Sequence, residues 1–287
     1  MSAAGDLDVY YCGDEDDGHA KKNKWVKTWL PDDTNEEDDD KEWFWFDKEG
    51  KLFRASENKK NSVETAADAE KYKLDEGTLT SDDGKVAKLI GKKKVNSKDY
   101  WFRDDGVMLS KFYKINDAMF YIGGADDGSM KTGSQSIKDN AGDTYKFYFY
   151  TKDQTTDKYQ TPKAGNKLKK GAGVVGNQSN KLYYYGLLLT ADDYKYQVVT
   201  LKDNDGQNVK FIINSNGSIQ HSYGTTYKED GQDLIVVDEV LGKEYKDSEG
   251  NAQTGTAKYV EDGQYKYGFK SGVENKVSDV DLTKFYN

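Results

Sequence analysis

The feature of this sequence that most restricts its fold is a short aromatic segment that recurs along the chain before a turn ending in glycine. The two most similar copies are residues 10–18 (YYCGDEDDG) and 120–128 (FYIGGADDG). Shorter relatives occur at residues 43–50 (WFWFDKEG), 100–106 (YWFRDDG) and 210–217 (KFIINSNG). An aromatic run that stops at an Asx and glycine turn is typical of a strand in a β-hairpin.

The residues after each turn also follow a pattern. An apolar residue stands two positions after the turn glycine, and the residues concerned are Leu52, Val86, Met108, Met130, Ile219 and Ala252. About ten residues later an aromatic segment returns, and one full period separates Gly106 from Gly128. A unit of this size cannot bury its own ring face, whereas stacked neighbours can. We therefore predict an all-β chain that forms a repetitive β-hairpin solenoid of stacked hairpins.

Composition supports burial by aromatic rings and excludes several classes of protein. Hydrophobic residues make up only 35% of the 287 residues, yet 22 are tyrosine and 13% are aromatic, unlike charged disordered chains. The net charge of −9 disfavours binding to duplex nucleic acid, which needs clustered cations. No apolar run approaches the roughly 18 residues of a membrane-spanning helix.

Interruptions of the repeat divide the chain. Residues 1–150 carry the aromatic hairpin repeats, whereas residues 151–287 carry more degenerate repeats and a C-terminal β region, so the last third is the least regular. We expect an exposed acidic loop at residues 32–41, a short helix near residues 61–74 and a loop with a degenerate repeat at residues 152–180. The helix is suggested by Asn61 and Glu64 at capping-box spacing. The aliphatic residues 234–240 predict a strand.

Neither the N-terminus nor the single cysteine indicates chemistry. The first residues lack the basic and apolar regions of a secretion signal, and because the repeat begins by Val9 we expect that a leader has been removed. Cys12 cannot form an internal disulfide or a cysteine-based zinc site. We expect it to be a small, half-buried residue of a strand.

Two fragments carry a resemblance to a known family. Residues 108–121 (MLSKFYKINDAMFY) and 127–133 (DGSMKTG) resemble the cell-wall-binding repeat of choline-binding and glucan-binding surface proteins of Gram-positive bacteria. Residues 43–52 match the second half of that repeat, and residues 247–255 (DSEGNAQTG) match its turn and its Thr-Gly step. The resemblance implies stacked β-hairpins with ligands in aromatic cages between successive hairpins.

The cage of the choline-binding members is mostly missing here. The tryptophan that contributes to it in the family falls six residues after the turn glycine. In this chain those positions hold Lys24, Ser56, Ile90, Phe112, Ser134, Tyr223 and Thr256. Only two of them are aromatic, with Trp25 one residue out of register. Cation–π attraction for a quaternary ammonium, about 0.5–2 kcal/mol per ring, is therefore not expected at most sites.

Two groups of rings are the candidate ligand sites. The first contains Trp25, Trp29, Trp43 and Trp45, which are four of the five tryptophans. The second contains Tyr100, Trp101, Phe112 and Tyr121, with Met108 alongside. A sugar can stack on such rings while nearby Asp and Asn side chains bind its hydroxyls. The alternative, which the sequence leaves open, is that these rings form the core of the solenoid.

Motifs for metal binding and catalysis are weak. An EF-hand loop starting at Asp203 would need glycine and an acidic residue where Asn208 and Asn214 stand. No nucleophile elbow, P-loop or His-Glu-x-x-His pattern occurs, and His19 and His221 follow turns, so we expect both to be exposed. We predict that the chain is not an enzyme and uses no metal or cofactor.

The function predicted from these observations is non-catalytic binding of cell-wall polymer or another carbohydrate on a bacterial surface, through aromatic grooves between hairpins. We expect an extracellular location, no nucleic-acid partner and no membrane span. One alternative is a surface adhesin or protein-interaction scaffold whose repeats have lost ligand binding, with an acidic surface that favours a basic host protein. Another is an enzyme embedded in the C-terminal third, near residues 234–240.

Overall fold

Every regular element in the described part of the chain is a β-strand, which confirms the predicted all-β class. The structure is a computed structural model. It describes residues 8–13, 16–30, 41–55, 69–87, 89–154, 159–160, 168–191, 195–206 and 208–220, together with the strands at 226–229, 232–238, 259–261 and 266–268. No helix that could span a membrane is present among these residues.

Residue contacts divide the chain into two compact units. The first unit comprises residues 1–74 and 79–131, and the second comprises residues 75–78 and 132–287. The predicted change in repeat regularity near residue 150 stays a prediction.

Strands β1 to β8 precede residue 132. They are β1 (Lys24–Thr28), β2 (Glu42–Phe46), β3 (Ala69–Asp75), β4 (Thr78–Ala87), β5 (Ile90–Val95), β6 (Lys98–Arg103), β7 (Phe112–Ile115) and β8 (Ala118–Tyr121). Strands β1 and β2 form one antiparallel pair and β5 and β6 another. The remaining four form a sheet in the order β4-β3-β7-β8.

Strands β9 to β19 follow in the second unit. They are β9 (Gly133–Lys138), β10 (Thr144–Phe149), β11 (Gly176–Gln178), β12 (Lys181–Tyr184), β13 (Leu187–Leu188), β14 (Tyr196–Lys202), β15 (Asn208–Asn214), β16 (Thr226–Glu229), β17 (Gln232–Asp238), β18 (Tyr259–Glu261) and β19 (Lys266–Gly268). They form sheets in the orders β11-β12-β13-β10-β9, β14-β15 and β16-β17-β19-β18.

Tight two-residue turns open several of the aromatic strands. Both turn residues have positive φ in Asn96-Ser97, Asn116-Asp117 and Ser179-Asn180, which is the backbone that matches the twist of a hairpin. These turns precede the strands that contain Tyr100, Phe120 and Tyr183. The sequence pattern drew attention instead to the Asx and glycine turn that follows each aromatic strand, so it missed the turn that closes the hairpin.

The turn after the aromatic strand has a repeated geometry of its own. The glycine N–H donates to the carbonyl oxygen three residues earlier, from Gly50 to Asp47 at 3.0 Å and from Gly217 to Asn214 at 2.8 Å. In both turns the side chain of the first residue also accepts backbone N–H groups, as an Asx turn does. Recurrence of Asp or Asn at this position therefore has a local structural cause.

Hydrogen bonds link three turns of the first unit to preceding segments of the chain. Met108, two residues after a turn glycine, donates its N–H to the carbonyl oxygen of Trp43 at 2.9 Å. Met130 in the same position donates to Asp99 at 2.8 Å, and Leu52 donates to Val9 at 2.8 Å. The apolar residue that the sequence pattern singled out thus sits where successive segments are joined by backbone hydrogen bonds.

The predicted helix at residues 61–74 is wrong in its second half. Residues 69–74 belong to β3, which pairs with β7 through Ala69 opposite Ile115 and Tyr72 opposite Phe112. Burial of alternate ring and aliphatic side chains against a sheet outweighs the weak local preference for a helix. Residues 61–68, like most of the predicted acidic loop, lie outside the described residues.

Two smaller expectations have mixed outcomes. The predicted strand at residues 234–240 coincides over residues 234–238 with β17, and its last two residues are outside the described part. Cys12 is exposed and lies outside the strands, so its expected half-buried place in a strand is wrong. Gly13, the next residue, has a φ of 84°, which is outside the extended region.

Candidate functional site

Strand β2 sends its aromatic rings to two different clusters because side chains alternate along a strand. Trp45 packs with Phe53, Val95, Tyr100, Phe102 and Met108, and the half-buried Trp25 and Trp43 lie against this group, which we call the tryptophan cluster. Phe44 and Phe46 pack on the other side with Leu52 and Val107. The sequence WFWF therefore supplies two apolar faces at once.

Trp25 is the central ring of the tryptophan cluster. Its register partner across the β1–β2 pair is Trp45, and their ring centroids are 5.2 Å apart. The ring centroid of Tyr100 lies 4.7 Å from Trp25, and Phe102 is stacked on Trp25 at 5.7 Å with an interplanar angle of 14°. Rings at these separations are in direct contact, so Trp25 presents only part of its surface to solvent.

Trp43 is held at the edge of the cluster by a carboxylate. Its indole Nε1–H donates to Oδ1 of Asp126 at 3.0 Å, and the Lys27 ammonium donates to the same oxygen at 3.0 Å. That ammonium also lies 5.9 Å from the Trp43 ring centroid. The hydrogen bonds from Trp43 and Lys27 lower the pKa of Asp126, although its side chain is 71% exposed. The second carboxylate oxygen of Asp126 accepts no protein hydrogen bond in the described residues.

A second carboxylate lies near two tyrosine rings. Asp127 accepts hydrogen bonds from the Ser129 hydroxyl at 2.6 Å and from the Lys131 ammonium. Burial alone would raise the pKa of Asp127, but these hydrogen bonds outweigh it and the pKa is lowered. Burial, followed by the charge of Asp127, raises the pKa of both Tyr100 and Tyr121. Both phenols therefore stay neutral hydrogen-bonding groups in the ordinary pH range.

The structure regroups the residues predicted as ligand sites. Trp25, Trp43 and Trp45 come together as predicted, but Tyr100 and Met108 of the second predicted group belong to the same cluster. Trp29 follows β1, is not a member of the cluster, and has the Lys41 ammonium 4.2 Å from its ring centroid. Whether any of the predicted residues binds a ligand stays a prediction.

The other members of the second predicted group lie elsewhere. Trp101 is 2% exposed and its ring centroid is 6.0 Å from that of Phe120, so it belongs to the core on the side of β6 opposite Tyr100. Phe112 and Tyr121 are register partners across β7 and β8, with ring centroids 4.7 Å apart. Phe112 is buried, whereas the Tyr121 ring is half-buried.

Asp126 and Lys27 are the residues that sequence reasoning missed. Asp126 belongs to an Asp-Asp-Gly turn that reads as a solvated loop, and Lys27 is one of many lysines. The available signal was the alternation in β1, which places Lys27 between Trp25 and Trp29 in sequence. It could not predict a partner 99 residues further on.

No cluster of metal-ligating side chains emerges in the described part of the chain. No group of three or more His, Cys, Asp and Glu residues there could hold a metal ion. The His19 side chain is 93% exposed and its Nδ1 lies 2.6 Å from the carbonyl oxygen of Asp17. His221 lies outside the described residues.

Comparisons with known proteins give only distant similarities. No protein-family model matches the chain, and no curated protein sequence matches it. Choline binding protein F from Streptococcus pneumoniae is similar at 18% identity over 71% of this chain and 49% of that chain, with a TM-score of 0.24. CbpJ from Streptococcus pneumoniae TIGR4 is similar at 15% identity over 74% of this chain and 68% of that chain, with a TM-score of 0.19.

A third similar structure is an alternansucrase in complex with isomaltononaose. It is 17% identical over 69% of this chain and 18% of that chain, with a TM-score of 0.16. The chain spans about half the length of choline binding protein F. At such low identities and TM-scores, the function proposed next rests on the geometry of the chain itself.

Proposed function

We propose that this chain is a non-catalytic binding protein that holds a cell-wall polymer or another carbohydrate at the edge of the tryptophan cluster. The observation that carries the proposal is the arrangement of Trp25, Trp43 and Asp126: two half-buried indoles lie in one cluster, and a fixed carboxylate meets one of them. Aromatic faces and a hydrogen-bonding group at their border are what a sugar ring requires.

Each component of this edge has a role in the proposed binding. The apolar face of a pyranose stacks on the exposed part of Trp43, while the second oxygen of Asp126 accepts sugar hydroxyl groups. Lys27 keeps the carboxylate ionised and in place, because its ammonium donates to Oδ1. Affinity at one such edge is weak, and a polymer gains retention by meeting several edges on one chain.

The proposal includes a fold finer than the all-β class. We take the first unit as a run of stacked hairpins, a β-solenoid of the cell-wall-binding repeat type, on the surface of a Gram-positive bacterium. The hydrogen bonds from Leu52, Met108 and Met130 to preceding segments support it, because the same position after the turn glycine is used each time. The sequence resemblance supports the location outside the cell.

The ligand in this proposal is a sugar and not a quaternary ammonium. A choline headgroup needs open ring faces around a cation-sized space. Trp25 is in contact with three rings, and Trp43 already has an ammonium from the chain nearby. In this proposal the chain holds the polymer without altering it.

A second candidate function follows from the same packing. If the rings of the tryptophan cluster only pack against one another and bind no ligand, the unit is a rigid scaffold for protein contacts, as in an adhesin. The short centroid distances around Trp25 favour this function, and the net charge of −9 favours a basic partner.

Retention on polymers tests the proposal. The full chain is passed over insoluble peptidoglycan, teichoic acid and glucan, with free sugars and choline as competitors. We expect retention on at least one polymer, release by sugar and no release by choline. Trp43→Ala should reduce retention at least fivefold, whereas Tyr10→Ala, which removes an exposed ring outside the cluster, should leave it unchanged.

The outcomes separate the two candidate functions. Retention that survives Trp43→Ala in a folded protein, as judged by circular dichroism, would mean that the tryptophan edge is not the site. No retention on any polymer, together with binding to a basic protein, would favour the scaffold.

A further inference from the structure

The five-stranded sheet of the second unit has one buried face and one open face. On β10, Phe147 and Phe149 are completely buried, whereas Lys146 is exposed and Tyr148 is half-buried. Residues directly opposite each other in an antiparallel pair point to the same face. The β9–β10 register pairs Ser134 with Tyr148 and Ser136 with Lys146, so the two serines share the open face.

A cation extends this face and a buried ring supports it. Lys138, at the end of β9, is exposed and follows the same alternation as Ser134 and Ser136. On the other side, the ring of Tyr183, which is buried, has its centroid 6.0 Å from that of Tyr148. The turn Tyr185-Gly186 runs beside Tyr148, whose N–H donates to the carbonyl oxygen of Gly186 at 2.8 Å.

The strands of this sheet carry basic but no acidic side chains. The chain has 51 acidic residues, but none of them lies in strands β9 to β13, which contain Lys138, Lys146 and Lys181. Lys181 donates to the carbonyl oxygen of Asn216 at 2.7 Å. Within the described residues, Lys138 and Lys146 have no ion-pair partner. The carboxylates nearest in sequence, Asp139 and Asp143, belong to the hairpin turn at one end of the sheet.

We propose that this open face, comprising Ser134, Ser136, Lys138, Lys146 and Tyr148 and called here the lysine–tyrosine face, binds an anionic polysaccharide. The ammonium groups of Lys138 and Lys146 complement carboxylates carried by the sugars, and the Tyr148 ring and the serine hydroxyls complement the sugars themselves. A neutral glycan makes no use of the two lysines, and a polyanion without sugars makes no use of the Tyr148 ring. The face lies in the second unit and shares no residue with the tryptophan cluster, so the inference does not rest on the proposed function.

Three polymers test the inference on the full chain. Polygalacturonate carries a carboxylate on each pyranose, dextran offers sugars without charge, and polyphosphate offers charge without sugars. We expect polygalacturonate to bind at least tenfold more tightly than either of the others at low salt, and binding to weaken as salt screens the lysines. Equal binding of polyphosphate, preference for dextran, or no binding of polygalacturonate would overturn the proposal.

Charge reversal locates the site. The double variant Lys138→Glu/Lys146→Glu should lose at least tenfold in polygalacturonate affinity. The matched control Lys22→Glu/Lys48→Glu makes the same change in net charge at two exposed lysines of the first unit and should change affinity less than twofold. Equal losses in both variants would show that net charge alone governs binding and would refute the site.

Ring substitution and the other unit complete the test. Tyr148→Ala should weaken binding of polygalacturonate severalfold, whereas Tyr148→Phe should keep most of it, because the ring provides the stacking surface. If Tyr148→Ala fails to fold, the charge-reversed variant and Tyr148→Phe still decide the matter. Tyr10→Ala, which removes an exposed ring of the first unit, should leave polygalacturonate binding unchanged; a loss equal to that of Tyr148→Ala would refute the site.

Discussion

Trp43 donates its indole N–H to the carboxylate of Asp126, a residue 83 positions further along the chain, at 3.0 Å. The contact joins a strand of one hairpin to the turn that follows another hairpin. Both residues are at the border between the buried rings and solvent, and Lys27 donates to the same carboxylate oxygen. This single oxygen therefore connects the core of the unit to the surface that we propose binds sugar.

The Trp43 indole proton should report the ionisation of Asp126. Its hydrogen bonds to Trp43 and Lys27 lower the pKa of Asp126 below the ordinary value of 3.8. The Nε1–H resonance of Trp43 should therefore shift in acid with a midpoint below 3.8. In Asp126→Asn that titration should vanish. A midpoint above 4 in the wild-type protein would contradict the hydrogen bond.

Two glycines in identical Asp-Asp-Gly turns should differ in their tolerance of alanine. Both have positive φ, 55° at Gly18 and 61° at Gly128, so alanine costs about 1–2 kcal/mol of backbone strain at either position. A Cβ at Gly18 meets no atom within 4 Å, whereas one at Gly128 would overlap the Met108 side chain. Met108 is buried in the tryptophan cluster and cannot move aside freely.

Chemical denaturation measures this difference. Gly128→Ala should destabilise the protein by about 1–3 kcal/mol more than Gly18→Ala, which is the usual cost of overpacking. Equal losses of unfolding free energy would indicate that Met108 does not pack against this turn.

Alanine substitutions of a core tryptophan and of a surface tryptophan should lower the free energy of unfolding by different amounts. Trp101 is 2% exposed and its indole N–H has no acceptor in the described residues, so its ring contributes through packing. Trp101→Ala should lower the free energy of unfolding by about 3–5 kcal/mol. Trp43→Ala removes a half-buried ring and should cost about 1–2 kcal/mol. Similar losses of unfolding free energy in the two variants, measured by urea titration, would contradict the placement of Trp101 in the core or of Trp43 at the surface.

Sequence reasoning predicted the all-β class because alternation and turn chemistry are local properties. It grouped the rings by their proximity along the chain, and this is where it failed. Tyr100 and Phe102 are two residues apart and share a face, whereas Trp101 between them faces the opposite way. Period-two alternation would have predicted this, had the aromatic strand been placed in a definite register.

Other parts of the fold and of the site depend on contacts between residues far apart in sequence, which a local sequence pattern cannot predict. Ala69 and Tyr72 are in a strand because β7 is available as a partner, which a helix-capping pattern cannot foresee. Asp126 and Trp43 are 83 positions apart, and strands β3 to β8 lie between them in the sequence. The lysine–tyrosine face likewise depends on the pairing of β9 with β10, which places Ser134 beside Tyr148 and Ser136 beside Lys146.

Asp127 should make the protein less stable in acid. Its pKa is lowered in the folded state by Lys131 and Ser129 against the opposing effect of burial, while the unfolded chain has the ordinary value of about 3.9. Because the unfolded state then binds more protons, the free energy of unfolding rises with pH in this window. The contribution is fully present above about pH 4 and is lost as pH falls through the folded-state pKa.

Asp127→Asn should therefore flatten the dependence of unfolding free energy on pH between about 2 and 4. The charge-matched control is Asp104→Asn, which removes an exposed carboxylate from another turn. An equally steep acid dependence in Asp127→Asn and the wild-type protein, measured by urea unfolding across this range, would rule out the stabilising hydrogen bonds from Lys131 and Ser129.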